Sequence, residues 1–491
     1  MATISSAGIG SGLDVNGIVS QLMTIEKRPL TALDTKEAGF QAKLSAYGSL
    51  KGALASVQSA ALALKSSTLF SSMSASSANT SVVAASANTA AQAGTYTLKV
   101  IAKAQSASIS SQPLPSISTD ISTIDGKLKI ELGTFTPQAG ATPSSFVSDP
   151  AKTPITINLT AGTSSLSDIR DAINAANAGV KANLVYVGTA GYKLTVTSND
   201  TGATESLKIT ALDTSNNVLT NNTDLAKLSF DPTKTAGAGN EFDVNSVAQD
   251  SSFTIDGLGL TRSTNSVSDA IIGVTLSIGD VLNTNTTLTV AKDTASVQTA
   301  LASFVKNYND LNKQLHDLTV FDPTTKQGAT LTGDAGARAL QSALRSMITY
   351  RQAGSTGVAH SLSDLGVAMQ RDGSLLFNST KLSNALASSS TDVSALFTST
   401  SASAPGLAVQ MSTLLDGMLS TSGLIASQTD GISRSVTDIG KQRTRLSDRL
   451  VQIEARYRKQ YSNLDTLVAS MQQTSQYLTQ QLANLPTNSS K

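Results

Sequence analysis

Apolar residues recur through the C-terminal stretch in alternating steps of four and three. One row runs Ile432, Ile439, Leu446, Ile453, Gln460, Leu467, Thr474, Gln481. The other runs Val436, Arg443, Leu450, Tyr457, Leu464, Met471, Leu478, Leu485. Only Arg443, Gln460, Thr474 and Gln481 interrupt the two rows. The spacing predicts a single coiled-coil helix that ends at Pro486, about 80 Å long at ~1.5 Å per residue. Such a helix packs either on its own domain or on a partner. Its polar core positions weaken the seam while limiting register and partner choice. The other end of the chain carries a shorter match. Ile18, Leu22 and Ile25 are spaced four and three, Pro29 interrupts, and Phe40, Leu44, Tyr47, Leu50, Leu54 and Val57 form a second amphipathic run. Each terminal helix is the obvious partner of the other.

Between them the period changes. No charged residue occurs between Lys65 and Lys99, and the stretch "SSMSASSANTSVVAASANTAAQAG" reads as a change of domain with weak strands, or as a linker. Beyond it Tyr96, Leu98 and Val100 alternate onto one face. The segments "GKLKIEL", "PITINLT", "VKANLVYV", "YKLTVTS" and "SLKITAL" repeat that strand pattern. One helix breaks the series, "TSSLSDIRDAINAAN", with a Ser or Thr cap and Leu166, Ile169, Ala172 and Ile173 on one face. Strands resume in "SFTIDGLGLTRSTNSVSDAIIGVTLSI". Helix returns where Val297, Leu301, Phe304, Val305, Tyr308, Leu311 and Leu315 share a face, and continues to the end.

The expected fold class is α+β multidomain: N- and C-terminal helices forming a coiled-coil stalk, a helical domain, and inserted β-rich head domains. The expected divisions are a terminal leg from 1–40 and 441–491, and a mostly helical core from 41–75 and 286–440. A β-rich head domain takes 76–125 and 245–285, and a second takes 126–244. Length agrees, since 491 residues suggest roughly three or four domains at about 150 residues each.

Charge and composition narrow the function. The net charge of +1 supplies no global field for nucleic acid or membrane. Cysteine is absent, so the chain has no disulfide framework and no thiolate metal site. The start, "MATISSAGIGSGLDVNGIVSQLM", has no basic residue before Lys27 and no apolar core of signal-peptide length. No apolar run reaches the ~18 residues that a membrane helix needs. The expectation is a cytoplasmic protein, or one exported by a route that reads no cleaved signal.

Candidate chemistry is sparse. His316 and His360 lie far apart in sequence without triad-like neighbours. "GIGSG" has the wrong register for a nucleophile elbow. Neither a phosphate-binding loop nor an H-E-x-x-H zinc motif occurs. "IDGLGL" and "RDGSLLFN" lack the liganding positions of a calcium loop and read as hairpin turns. Lys441, Arg443, Arg445, Arg449, Arg456, Arg458 and Lys459 stand against only Asp448 and Glu454, a local net of +5. With no aromatic platform or groove-reading motif, they read as a solvated or partner-facing helix flank, not a nucleic-acid site. A stalk and a head without an active site, catalytic residue, metal site or cofactor site describe a structural or binding protein.

The opening "GIGSGLDVNGIVSQLMTIEKRPL" closely resembles the start of the filament cap proteins of the bacterial flagellum, the hook-associated protein 2 family. Further similarities follow in order: "FQAKLSAYGSLKGAL", "AGTYTLKVIAKAQS", "FTIDGLGLTRSTNSVSDAIIGVTLSI", "VQTALASFVKNYNDLNKQL", "LSDLGVAMQRDGSLLFNSTKLSNAL" and "YSNLDTLVASMQQTSQYLTQQLANL". The segment "SLSDIRDAINAANAGVKANLVYVGTAGYKLTVTSNDTG" resembles a repeat unit of flagellins and hook-associated proteins. The resemblance covers most of the chain and is weakest over 103–160 and 212–250.

The resemblance implies an extracellular cap at the distal tip of the flagellum. The cap would retain exported flagellin and promote its folding and insertion. It would assemble as a homo-oligomeric ring of about five or six copies. Its other partners would be hook–filament junction proteins, a cytoplasmic export chaperone and the flagellar type III export apparatus. No membrane insertion is implied. On this reading Ile18, Leu22, Ile25, Ile439, Leu446, Leu450, Ile453, Tyr457, Leu464, Leu467, Met471 and Leu478 form the seam that contacts other copies or the filament. Two alternatives share these features: another axial protein, such as a junction protein or flagellin, and a surface adhesin whose β-rich head binds host mucin or glycans.

Overall fold

The computed structural model describes residues 12, 14–220, 224–235, 237, 240–352, 357 and 359–483. It comprises two compact units, Met1–Phe70 with Thr294–Lys491, and Ser71–Asp293 inserted between them in sequence. In chain order the described helices are α1 (Val15–Glu26), α2 (Arg28–Lys65), α3 (Ser67–Ser71), α4 (Leu166–Ala175), α5 (Thr294–Thr319), α6 (Ala335–Ile348), α7 (Ser379–Thr398), α8 (Leu407–Leu419) and α9 (Leu424–Ala483). The break between α1 and α2 falls at Lys27, and Pro29 sits in the first turn of α2. There its missing N–H has no intrahelical acceptor to lose.

The first unit is a helical bundle. Tyr47, Leu50, Leu54 and Val57 of α2 are buried with Leu301, Phe304, Tyr308 and Leu311 of α5, Leu407, Met411 and Leu415 of α8, and Ile425 and Ile432 of α9. Phe70 and Phe397 stack with ring centroids 5.5 Å apart. Asp334 caps α6 by accepting from the Gly336 and Ala337 amides at 2.9 and 3.1 Å, and Tyr47 donates its hydroxyl to the same oxygen. Burial pushes the Asp334 carboxyl up, but those three hydrogen bonds and Lys43 outweigh it and hold the group below its ordinary value. Burial and the carboxylate together push the Tyr47 hydroxyl far above its own.

The second unit contains β1 (Met73–Ser77), β2 (Val83–Ala87), β3 (Gly94–Ala102), β4 (Ser108–Ser110), β5 (Gly126–Thr136), β6 (Ser145–Ser148), β7 (Ile155–Leu159), β8 (Val180–Tyr186), β9 (Tyr192–Ser198), β10 (Ser206–Leu212), β11 (Asp243–Ser246), β12 (Ser251–Ile255), β13 (Leu258–Arg262), β14 (Ser266–Ile271), β15 (Val274–Ile278) and β16 (Asn285–Lys292). A five-stranded sheet, β1-β16-β3-β12-β13, and a three-stranded sheet, β14-β15-β2, enclose a core with Leu98, Val100, Phe253, Leu276 and Leu288 at its centre. A second core lies between the sheet in which β5 pairs with β10, β6 and β7 and the sheet β11-β4-β9-β8. The helix α4 packs into it through Leu166, Ile169 and Ile173. Ser165 and Asp168 form a reciprocal capping box at its start. Asp256 and Gly257 take left-handed φ values of 51° and 85° in the two-residue turn joining β12 to β13.

Two boundaries differ from the sequence expectation. β16 hydrogen-bonds to β1 and β3, so residues 286–292 and 73–75 belong with the β-rich unit and not with the helices. Ala107, Ile109 and Ile121 pack in the second core, whereas 76–125 had been grouped whole with the first. Of the two readings of the charge-free stretch after Lys65, the change of domain with weak strands holds: the second unit begins at Ser71, and the stretch supplies β1 and β2.

Candidate functional site

The site is the leg formed where α1 meets α9. Asp14 caps α1 by accepting from the Gly17 amide at 2.8 Å. Val15, Val19 and Met23 then lie buried against Leu450, flanked by Leu30, Leu446, Ile453, Tyr457 and Tyr461. Steps of four along α1 therefore form its inner row. Ile18 and Leu22 are only half-buried, and Ile25 is 57% exposed. The stripe expected through Ile18, Leu22 and Ile25 is thus not the intramolecular seam. A helix only three turns long offers two adjacent apolar rows, and α9 takes the one through Val15, Val19 and Met23.

Polar contacts fix the register of the leg. The Tyr457 hydroxyl donates to Glu26 at 3.0 Å, a bond that raises the tyrosine above its ordinary pKa. Arg458 donates to Asn16 at 3.0 Å and to Glu454 at 2.8 Å. Arg443 reaches Asp34 and Glu37 of α2 at 3.4 and 3.1 Å. Its place in an otherwise apolar row is therefore matched by two carboxylates on the facing helix. Exposed pairs of this kind contribute ~0–1 kcal/mol each, so they specify alignment more than stability.

The α9 seam changes character along its length. Ile439 and Leu450 are buried, and Leu446, Ile453 and Tyr457 are half-buried. Beyond Tyr461 the apolar row stays open. Leu464, Leu467, Met471 and Leu478 are 41%, 56%, 63% and 54% exposed, and Tyr477 and Leu482 are exposed as well. Asp465 is buried, while Val468 and Ala469 are half-buried. Leu485 lies outside the described residues. The sequence marked the row but not that α1 packs on it only as far as Tyr461.

The other candidates fall into place as scaffold. Neither imidazole, of His316 or His360, makes a hydrogen bond among the described residues. Asp364 instead accepts from the His360 amide at 3.0 Å. Gly8–Ser11 of "GIGSG" lie outside the described residues. Asp372–Gly373 turns a small hairpin between Val367–Met369 and Leu375–Phe377. Among the described residues no cluster of His, Asp and Glu could hold a metal ion, and no helix is long and apolar enough to cross a membrane.

Comparison with known proteins gives this leg its family. Profiles described as flagellar hook-associated protein 2 N-terminus and C-terminus match residues 11–107 and 248–473. Another, the flagellin hook IN motif, matches 146–200, which holds α4, β8 and β9. Flagellar hook-associated protein 2 of Escherichia coli (strain K12) is 35% identical over 493 residues, with 99% of each chain covered. The chain belongs to the flagellar hook-associated protein 2 family. As a member of that family it is a flagellar filament cap. A-type flagellar hook-associated protein 2 of Pseudomonas aeruginosa is 30% identical, covering 98% of this chain and 97% of its own. The crystal structure of the flagellar cap protein FliD D1-D2-D3 domains from Escherichia coli superposes with a TM-score of 0.56 at 33% identity. It covers 79% of this chain and 99% of its own.

Proposed function

We propose that this member of the family acts at the extracellular tip of the filament as a scaffold, retaining exported flagellin and opening sites for its folding and insertion without covalent chemistry. It works as a homo-oligomeric ring whose legs reach the end of the growing filament or the junction proteins of the hook. It reaches the tip through the flagellar export apparatus, delivered by a cytoplasmic chaperone. The observation that carries this reading is the open apolar row Leu464, Leu467, Met471 and Leu478, which continues in register from a seam that α1 fills only as far as Tyr461. A helix of an axial subunit seated on that row completes the coiled coil. Ile25, exposed on α1, offers a neighbouring contact.

Removal of the gene from the source bacterium tests the role. Intact hooks, absent filaments and monomeric flagellin in the medium are the expected outcome. Filaments of normal length and number would refute it.

A further inference from the structure

The basic run on α9 is sorted by the fold into two groups. Arg443 and Arg458 face carboxylates, as described above, and Lys441 lies 3.7 Å from Asp438. Arg445, Arg449, Arg456 and Lys459 have no carboxylate within ion-pair distance among the described residues, and all four are exposed. The residues outside the description contain no Asp or Glu that could pair with them. Arg456 makes one other contact, with its guanidinium 5.8 Å from the Tyr457 ring centroid. Steps of four, seven and three bring the four cations onto one face of the helix, where they span about 21 Å at ~1.5 Å per residue. Of the two acids in this stretch, Glu454 pairs with Arg458, so the four cations repel one another with only Asp448 to offset them.

We propose that Arg445, Arg449, Arg456 and Lys459 form an electrostatic docking stripe for an acidic helix face of a neighbouring axial subunit. This inference rests on the cap reading above and deepens it. The stripe immediately precedes the open apolar row, so one incoming helix meets charge along the flank first and apolar cover at the distal end. Charge complementarity sets orientation and encounter rate, and the apolar row sets residence time. A contact of this kind engages and releases readily, as a leg that moves between subunits requires. A highly acidic partner face is selected over the cap's own legs, which carry the same positive stripe and repel each other.

The test uses the full-length chain and hooks isolated from cells lacking the gene, with bound ends counted by electron microscopy. Measurements are made at about 50 and 300 mM salt, where the Debye length falls from roughly 14 to 6 Å. Wild-type binding is expected to weaken as salt rises. A variant carrying Arg445→Gln, Arg449→Gln, Arg456→Gln and Lys459→Gln should bind about tenfold more weakly at low salt and lose most of the salt dependence. Replacing the three arginines by lysine should retain both. Equal circular dichroism and thermal midpoints separate docking from folding. If wild type binds the hook ends and the Gln variant binds equally well with the same salt slope, the stripe is a solvated flank and the proposal falls. If wild type binds no ends at any salt, the cap reading fails first and takes this inference with it. Wild-type binding to duplex DNA that the Gln variant loses, with hook-end binding unchanged, would reassign the stripe and also overturn the proposal.

Discussion

Truncating the open row separates docking from folding. Leu467, Met471 and Leu478 are 56%, 63% and 54% exposed in the free chain. Replacing all three by Ala removes little packing, and Ala is as good a helix former as the residues it replaces. The expected change in unfolding free energy is therefore within about 0.5 kcal/mol. Docking is different. Full burial of a Leu or Met side chain contributes ~1.5–3 kcal/mol, and rather more than half of each side chain remains to be covered. The three together contribute about 3 kcal/mol to binding, or roughly 150-fold in Kd. Leu450→Ala is the reciprocal control. It is buried against Val19 and Met23, so it should cost ~2–4 kcal/mol in the leg. Urea denaturation followed by circular dichroism reads stability, and binding to isolated hook ends reads docking. A stability loss above about 1.5 kcal/mol in the triple variant would mean the row is packed within the chain. Unchanged binding would mean it faces solvent in the assembly too. Either result refutes the reasoning.

Other consequences follow from the scaffold. Tyr47→Phe removes one donor to Asp334 and should cost ~1–3 kcal/mol at pH 7, measured by urea denaturation. Asp334 has a depressed folded pKa, so its contribution is complete above the unfolded value of ~3.9 and is lost as pH falls through the folded one. The phenylalanine variant should therefore lose less stability than wild type on going from pH 5 to 2. Lys152 pairs with the buried Glu205, whose second oxygen has no hydrogen-bond partner among the described residues. Lys152→Met should destabilise the β-rich unit by about 2–4 kcal/mol, and adding Glu205→Met should recover most of that loss in a thermal melt. Gly191 has φ 99°, and a Cβ there would meet the Leu114 carbonyl oxygen. Gly191→Ala should therefore lower the melting temperature of the β-rich unit while leaving the helical unit's transition in place.

Long, strongly periodic elements were legible in the sequence. The four–three rows of α9, the one-sided face of α5, the cap of α4 and the alternation of β3, β5, β8, β9 and β10 each follow from a pattern that local side-chain chemistry writes directly. Elements held mainly by their neighbours were not. β1 ("MSASS") and β2 ("VAASA") are mostly Ser and Ala, which have weak strand preference, and pairing with β16 and β15 makes them strands. β16 itself, "NTTLTVAK", alternates well but runs through Lys292 and Asp293 straight into α5, with no glycine or proline to mark the change of domain. On α1, Val15, Val19 and Met23 form an apolar row as regular as Ile18, Leu22 and Ile25, and only packing against α9 shows which of the two turns inward. The same limit applied to the site. The four–three spacing of α9 is continuous, whereas α1 packs on it only as far as Tyr461.

The central claim is that the distal row of α9 faces another axial subunit. A photo-crosslinking amino acid at Met471, carried by the full-length chain in growing cells, tests it most directly. Crosslinks from position 471 to flagellin or to a junction protein at filament tips are the predicted result. Efficient crosslinking to the same molecule alone, in cells that assemble normal filaments, would contradict it.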